Sequence, residues 1–321
     1  MKIVIAGGSG FVGTNVTNFL LKQYPKTNIV AVDDLSYSST VHIEELMKRK
    51  NYTFIEESIT DKKAMHALIK QHQPDIIISA VNTYDPAKAI NTFVLGNTNL
   101  LEAAVEESND LSKFILLSDD EVYGDSVSKE GNIRNAHEAD ALIPTNPLVA
   151  AQASADLLTL SYFNGYQLPT VVLRSSNVYG PYQSQNRLLI RLLTHALKNE
   201  SIPIYGDGLH TRDWLYIDDY IELIDIVIHH KDPDLFGQAF NVATQVPYTV
   251  LETTELLLTI MNKPKEYITF DHTIKPNTYR KSLDASKTKD TFDWQPKTEL
   301  KEGLKMTIDW FNEHTFSKTT S

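Results

Sequence analysis

Apolar residues in the first half of the chain come in short runs separated by amphipathic stretches. The runs Ile3–Ala6, Ile29–Val32, Thr53–Ile55, Ile76–Ala80, Phe114–Leu117 and Thr170–Leu173 are rich in β-branched side chains and predict strands buried on both faces. Between them, apolar positions at helical spacing predict helices near Phe11–Lys22, Val41–Lys50, Lys62–Gln71, Asn91–Ser108 and Leu148–Phe163. Pro74 and Pro169 stand just ahead of two of the strands, where a residue without an N–H ends the preceding helix. Strict strand–helix alternation is the pattern of a parallel sheet with helices on both faces. After about Gly180 the rhythm changes. Pro, Gly and Tyr cluster in Tyr179–Gln183 and Pro203–Gly208, which predicts a smaller, loop-rich lobe rather than a second sheet of equal size. The expected division is 1–178 for the sheet domain and 179–315 mainly for the lobe, with Phe316–Ser321 a frayed tail.

Composition narrows the function. The 321 residues are 42% hydrophobic, enough for the core of one large α/β unit or two coupled lobes. Cysteine is absent, which excludes a disulfide framework, a thiolate nucleophile and a Cys-ligated zinc. The ten histidines lack zinc-site spacing, so no metal is expected, and His229–His230 read as a solvated helix end. A formal charge of −11 argues against nucleic acid or an anionic membrane as partner. It leaves room for a phosphorylated ligand, which needs only a few local donors. The opening apolar run stops at Gly7, and no run is long enough for a secretory signal or a membrane span. A cytoplasmic protein is expected.

The first strand runs into Gly7-Gly8-Ser9-Gly10-Phe11-Val12-Gly13, a GxxGxxG spacing that opens a helix. Gly7 suits a tight turn and Gly10 a close approach of pyrophosphate to the backbone. Gly13 suits tight helix–strand packing, and the amides around Phe11 and Val12 face the phosphates. The second strand ends in Asp33-Asp34. A carboxylate there accepts the adenosine ribose hydroxyls and repels a 2′-phosphate, favouring NAD over NADP. The fold class expected is therefore α/β: a doubly wound parallel sheet that binds a dinucleotide, followed by a substrate lobe.

Later segments narrow the resemblance. Ser118-Asp119-Asp120-Glu121-Val122-Tyr123-Gly124 resembles the S-T-D-E-V-Y-G segment of dTDP-glucose 4,6-dehydratases, which are extended short-chain dehydrogenase/reductases. Arg174–Gln183 is similar to their R-C-S-N-N-Y-G-P-Y-Q, and Tyr205–Gly208 with Arg212–Asp219 to their Y-G-D-G and R-D-W-L-Y-V-x-D. Leu283–Lys287 echoes their I-D-A-S-K, so matches run in order from about residue 2 to residue 296. The resemblance implies a Rossmann domain holding NAD, with Ser58, Ile59, Ala80 and Gln152 along the cofactor. It implies a nucleotide-diphosphate hexose (dTDP- or UDP-linked) as partner, its pyrophosphate met by Asn177, Arg212 and Arg280. Tyr123, Tyr179 and Tyr182 would line the sugar pocket. It also implies a homodimer, formed through the helices near Asn91–Ser108 and Leu148–Phe163, whose Leu100, Leu101, Leu157, Leu158 and Leu160 exceed one core face.

The pattern breaks at the chemistry. In these dehydratases NAD takes a hydride from C4 while a Tyr removes the O4 proton; water then leaves across C5 and C6, and the hydride returns to C6. The Tyr belongs to a Y-x-x-x-K helix and is supported by a Ser or Thr on the preceding strand. Here Leu148 stands at the Tyr position, Gln152 at the Lys position and Asp119 at the Thr position. The acidic residue expected near adenine is Ser58, and the E-T-H motif reads Asn82-Thr83-Tyr84. Leu cannot exchange a proton and Gln carries no charge. Asp120 and Glu121 remain, in the family the acid for the leaving C6 hydroxyl and the base for the C5 proton. Two readings stay open: a working dehydratase with a relocated base, Asp119 or Tyr84, or a silent paralogue that binds NAD and a sugar nucleotide as a partner or regulatory subunit. Epimerisation or 4-keto reduction is a third.

Overall fold

The computed structural model describes residues 1–126, 134–273 and 279–315; the expected frayed tail Phe316–Ser321 lies outside them. The chain begins with β1 (Lys2–Ala6), α1 (Phe11–Gln23), β2 (Asn28–Asp33), α2 (Glu44–Met47), β3 (Tyr52–Glu56) and α3 (Lys62–His72). It continues through β4 (Ile76–Ser79), α4 (Pro86–Ala89), α5 (Asn97–Glu107), β5 (Lys113–Asp119), α6 (Pro147–Tyr166) and β6 (Thr170–Ser175). The six expected strands are all present. The inner strands were foreshadowed by apolar runs because both faces are covered: Ile3, Ile5, Ile77, Ile78, Val171 and Leu173 are fully buried.

The remaining elements are β7 (Asn177–Tyr179), α7 (Leu188–Leu197), β8 (Ile202–Tyr205), β9 (Thr211–Tyr216), α8 (Ile217–His229) and β10 (Gln238–Val242). After them come β11 (Pro247–Thr249), α9 (Val250–Ile260), β12 (Ile268–Asp271), α10 (Ser286–Phe292) and α11 (Leu300–Thr315). The main sheet is parallel and seven-stranded, in the order β10-β6-β5-β4-β1-β2-β3. Strand order reverses between β1 and β4, so their carboxyl ends flank a crevice, the place where such sheets bind ligands.

Three local differences from the expected pattern have physical causes. The seventh strand, β10, lies inside the segment assigned mainly to the lobe. Its Gln238 and Asn241 interrupt the apolar run, yet Asn241 is buried and bonded at both ends of its amide, to Tyr123, Ala136 and Asp284. The helix expected over Val41–Lys50 breaks into a 3-10 turn at Thr40–His42 and the short α2. Thr40, Val41 and Ile43 are β-branched there, and the Ser39 side chain accepts the Val41 amide. The helix expected from Asn91 starts as a π-helical turn, Ile90–Gly96, before α5. Leu100 and Leu101 are fully buried core, whereas Leu157 is 58% exposed on α6.

The lobe is built on a three-stranded sheet, β11-β9-β7, and a two-stranded one, β12-β8. It shares its core with one face of the main sheet, since Ile3, Ile5 and Val171 belong to one apolar cluster with Leu192, Ile224, Leu257 and Leu304. The Asn15 amide on α1 adds a polar tie, donating to the Pro181 carbonyl at 3.0 Å.

A buried polar chain fixes the turn after β5. Arg174 on β6 donates through Nε to Asp156 on α6 at 2.6 Å and through a terminal nitrogen to the Tyr123 hydroxyl at 2.6 Å. That hydroxyl in turn donates to Asn241 on β10 at 2.9 Å. Both ions are buried, so removing one leaves the other uncompensated. Asp156→Ala is expected to cost about 3–5 kcal/mol of stability, read from urea unfolding. The double substitution Asp156→Leu with Arg174→Met should recover much of that loss, because no lone charge then stays buried.

Candidate active site

A cavity of about 1300 Å³ opens at the carboxyl ends of β1, β2, β4 and β5 and extends to β7, β9 and α11. A pocket for one small ligand occupies roughly 300–1,000 Å³, so this one has room for a dinucleotide and a second ligand side by side.

Its first end is the glycine turn. Gly7 has φ +77°, and a Cβ there would come 2.6 Å from the Ala80 carbonyl oxygen. A Cβ on Gly13 would come 2.2 Å from the Gly7 oxygen, so only glycine lets α1 pack onto the turn. No side chain caps α1 at Gly10, and Gly7, Gly10, Phe11 and Val12 line the cavity. Uncapped first-turn amides at a helix N-terminus fit a pyrophosphate. At the end of β2, Asp33 accepts from Leu35 N at 2.9 Å and from the Ser38 hydroxyl at 2.8 Å, which fixes its carboxylate on the wall. Ser58, Ile59 and Ala80 also line this end. The donors and acceptors present fit a dinucleotide.

The other end is charged. Asp119 closes β5 and caps the 3-10 turn Asp120–Tyr123, accepting the Glu121 amide at 3.0 Å. Asp119 and Glu121 line the cavity. Asp120, 3% exposed, sits behind them, and neither of its oxygens has a hydrogen-bond partner. Gln152 on α6 lines the wall beside Asp119. Leu148, one turn earlier, packs on the apolar layer around Ala151 and Ala155. Tyr84 is on the wall, with the Arg187 guanidinium 4.7 Å from its ring centroid.

Two cations that the sequence motifs did not single out complete this end. Arg187 follows a loop with no motif and faces Tyr84, Asp119 and Glu121. Lys281 is 2% exposed, ion-paired with Glu121 and 3.4 Å from Asp120. No sequence signal marks Arg187. Lys281 is masked in the sequence by its neighbour Arg280, which does not line the cavity. Arg280 bridges Thr211 through its backbone, its amide meets Asp125 at 3.2 Å, and its side chain is not part of the cavity wall. In an extended segment neighbouring side chains point to opposite sides, so only one of the two can reach the cavity.

These surroundings separate the three acids. Burial pushes Asp120 up to about 7, with Lys281 pulling against it and the Asp119 and Glu121 charges adding to it. Burial, then the Glu121 charge, also raises Asp119, against Lys281, Arg187 and the Gln152 amide. Glu121 is held below the ordinary carboxylate range, chiefly by the Lys281 charge.

On the lobe side, Asn177, Tyr182 and Arg212 line the cavity. The Asn177 side-chain oxygen is buried with no partner, leaving an acceptor open to a ligand. Alternation along β9 sends Asp213 into the core, where it accepts from the Thr244 hydroxyl at 2.6 Å and Gln245 N at 2.7 Å, so Arg212 and Asp213 do not form a surface ion pair. Two tyrosines expected in the sugar pocket are packing instead. Tyr179 is fully buried, edge-on to Trp214 and Tyr216, and Tyr123 belongs to the Arg174 chain.

Comparison with known proteins agrees with this geometry. Residues 4–307 match the family model described as GDP-mannose 4,6 dehydratase. The chain belongs to that family. Within it, the low-salt glycan biosynthesis protein Agl12 of Haloferax volcanii is 31% identical over 317 residues, covering 97% of this chain and 98% of that one. The structure of dTDP-glucose 4,6-dehydratase from Bacillus anthracis in complex with NAD superimposes with a TM-score of 0.88 at 31% identity, covering 98% and 97% of the two chains. UDP-glucose 4-epimerase from Thermotoga maritima, solved with UDP-glucose, gives 0.88 at 27% identity, covering 98% and 100%. The family thus spans nucleotide-sugar dehydratases and epimerases on one Rossmann fold. Among the described residues, no helix is long and apolar enough to cross a membrane.

The separation of the acids has a direct readout. In a carbon-detected NMR titration of the free protein, the Asp120 carboxyl is expected to titrate near pH 7 and Glu121 below the ordinary carboxylate range. Because the folded state holds the Asp120 proton more tightly than the unfolded chain, this group lowers stability as pH rises from about 4 toward 7. Two acids titrating together in the ordinary range would contradict the assignment.

Proposed function

We propose that this protein is an NAD-dependent nucleotide-sugar 4,6-dehydratase in which Asp119 takes the O4 proton. The observation that carries the reading is the run of three acids at the end of β5, two on the cavity wall and one behind it, with their protonation pulled in opposite directions. A site that must give one proton and take another needs such a division. The glycine turn and Asp33 would hold NAD, which accepts the C4 hydride and returns it to C6. Arg212, Asn177 and Arg187 would hold the pyrophosphate and sugar of a dTDP- or UDP-hexose.

The protein's own groups then make four proton transfers with the substrate and one between Asp119 and Asp120. Asp119, made more basic by burial, takes the proton from O4 as C4 becomes a ketone. The ketone acidifies C5–H, and Glu121 takes that proton. Asp120 gives its proton to the C6 hydroxyl, which departs as water; its place just behind the wall requires its side chain to rotate forward. Glu121 returns its proton to C5 as C6 is reduced, and the proton on Asp119 restores Asp120. The product is a 4-keto-6-deoxy sugar nucleotide plus one water. Gln152, beside Asp119 on the wall, would donate to it and orient it, which is a different task from that of a lysine at this position.

Asp119→Asn is expected to lower C4 oxidation of dTDP- or UDP-glucose by about 100- to 10,000-fold, while Glu121→Gln still oxidises C4 and stalls before water loss. Rapid-mixing absorbance of reduced cofactor and NMR of the product separate the two steps. Wild-type turnover in Asp119→Asn would move the base to Tyr84 or water. An inert wild type with every sugar nucleotide would favour the silent paralogue, which the loss of the Tyr and Lys positions motivates.

Arg212→Ala is expected to weaken sugar-nucleotide binding by about 10- to 100-fold, the worth of a charge-assisted pair to phosphate, with NAD affinity nearly unchanged. Calorimetry checks both. Unaltered sugar-nucleotide affinity would remove Arg212 from the substrate site.

A further inference from the structure

Lysine is rarely buried without carboxylate partners, and Lys281 is held in its place on both sides. Ser126 N donates to the Arg280 carbonyl at 2.9 Å, Ser282 N to the Ser126 hydroxyl at 3.0 Å, and Ala136 N to the Ser282 carbonyl at 2.9 Å. The Ser282 hydroxyl also donates to Asn135 at 2.8 Å. This clamp leaves the ammonium little freedom except toward the turn after β5. There it pairs with Glu121, which lines the cavity, and approaches Asp120, which does not. Lys281 itself also reaches the cavity wall.

We propose that Lys281 is the positioning residue that divides the acid pair, anchoring the Glu121 carboxylate at the cavity wall as the base of elimination and leaving Asp120 behind it as the acid. This rests on the dehydratase reading. The charge enters from the 279–284 segment and not from α6, whose position 152 is uncharged. Its direct contacts are with Glu121 and Asp120, the two acids of the C5–C6 step. The groups that face Lys281 are Asp119, Asp120 and Glu121 from β5 and its turn, and Arg212 from β9; Arg187, from the loop before α7, faces Glu121 from the cavity side. Of the two nearest acids, Glu121 takes the direct ion pair, and the Lys281 charge is the largest influence holding it ionised. Asp120 receives a longer contact that burial outweighs. The ion pair keeps Glu121 ionised while burial raises Asp120 against the Lys281 charge, so adjacent carboxyls reach two protonation states.

The test uses Lys281→Met and Lys281→Arg in the full chain, each first shown to bind sugar nucleotide and to unfold cooperatively. In Lys281→Met, Glu121 loses its main counter-charge, so its titration should move to higher pH by about 1–3. The acid limb of the elimination step, read by deuterium uptake at C5 and by product formation, should move with it. Elimination at neutral pH should fall about 10- to 100-fold, while single-turnover C4 oxidation changes less than about threefold. Lys281→Arg should restore most of the rate and the profile. A purely structural lysine would slow both steps together and leave the pH profile in place, which would overturn the proposal; so would an unmoved Glu121 titration. The Glu121 titration needs no turnover. If the wild type is inert yet that titration moves, the dehydratase reading fails and the division of the pair by Lys281 stands as an electrostatic fact of the site.

Discussion

Three consecutive carboxyl groups at the end of a buried parallel strand repel one another and lose their hydration, and much of the molecule is arranged around that constraint. The main sheet supplies the acids: β5 delivers Asp119, and the turn it caps delivers Asp120 and Glu121. The cations come from farther along the chain. Arg187 precedes α7, Arg212 lies on β9, and Lys281 sits in the extended segment before α10. Neither half has a balanced site without the other. The shared apolar core and the Asn15–Pro181 bond therefore do more than join two lobes, since they bring opposite charges to one cavity. Beneath the acids, the buried Arg174–Asp156 pair has a similar role, fixing the turn through Tyr123.

The balance is uneven, and the unevenness is what makes the site chemical rather than merely tolerated. A carboxyl that ion-pairs directly stays ionised; one that is buried and only approached keeps its proton near neutrality. Asp119 is also raised by burial, accepts the Glu121 amide and lines the cavity. The resemblance implies a tyrosine and a lysine on the helix at α6 for the C4 step. Here that helix carries Leu148 and Gln152 instead, and the proposed base is Asp119 at the strand end. Epimerases and dehydratases share this fold, and the presence of an acid–base pair suited to C5 and C6 favours water loss over simple inversion at C4.

Legibility from sequence followed burial. Strands covered on both faces were visible as apolar runs, and the glycine turn was visible because its spacing reflects backbone contacts that only glycine permits. The strand β10 was not, because Asn241 is polar yet fully satisfied inside, a state that no local pattern reports. Tyrosines read as pocket residues turned out to be packing, as with Tyr179 between Trp214 and Tyr216, since a motif match says nothing about which way a ring points. The acids were legible as a contiguous motif. Their counter-ions were not: Arg187 and Lys281 meet them across 66 and 160 positions of chain, and the choice between Arg280 and Lys281 depends on the phase of a short extended segment.

The central claim is that the O4 proton leaves to Asp119. A crystal structure of the complex with NAD and an unreactive dTDP- or UDP-hexose analogue tests it most directly. The account predicts an Asp119 oxygen within hydrogen-bond distance of the atom at the O4 position, the Gln152 amide donating to the other side of that carboxylate, and C4 facing the nicotinamide. A complex in which O4 meets only Tyr84 or an ordered water, with Asp119 turned away toward Arg187, would contradict it.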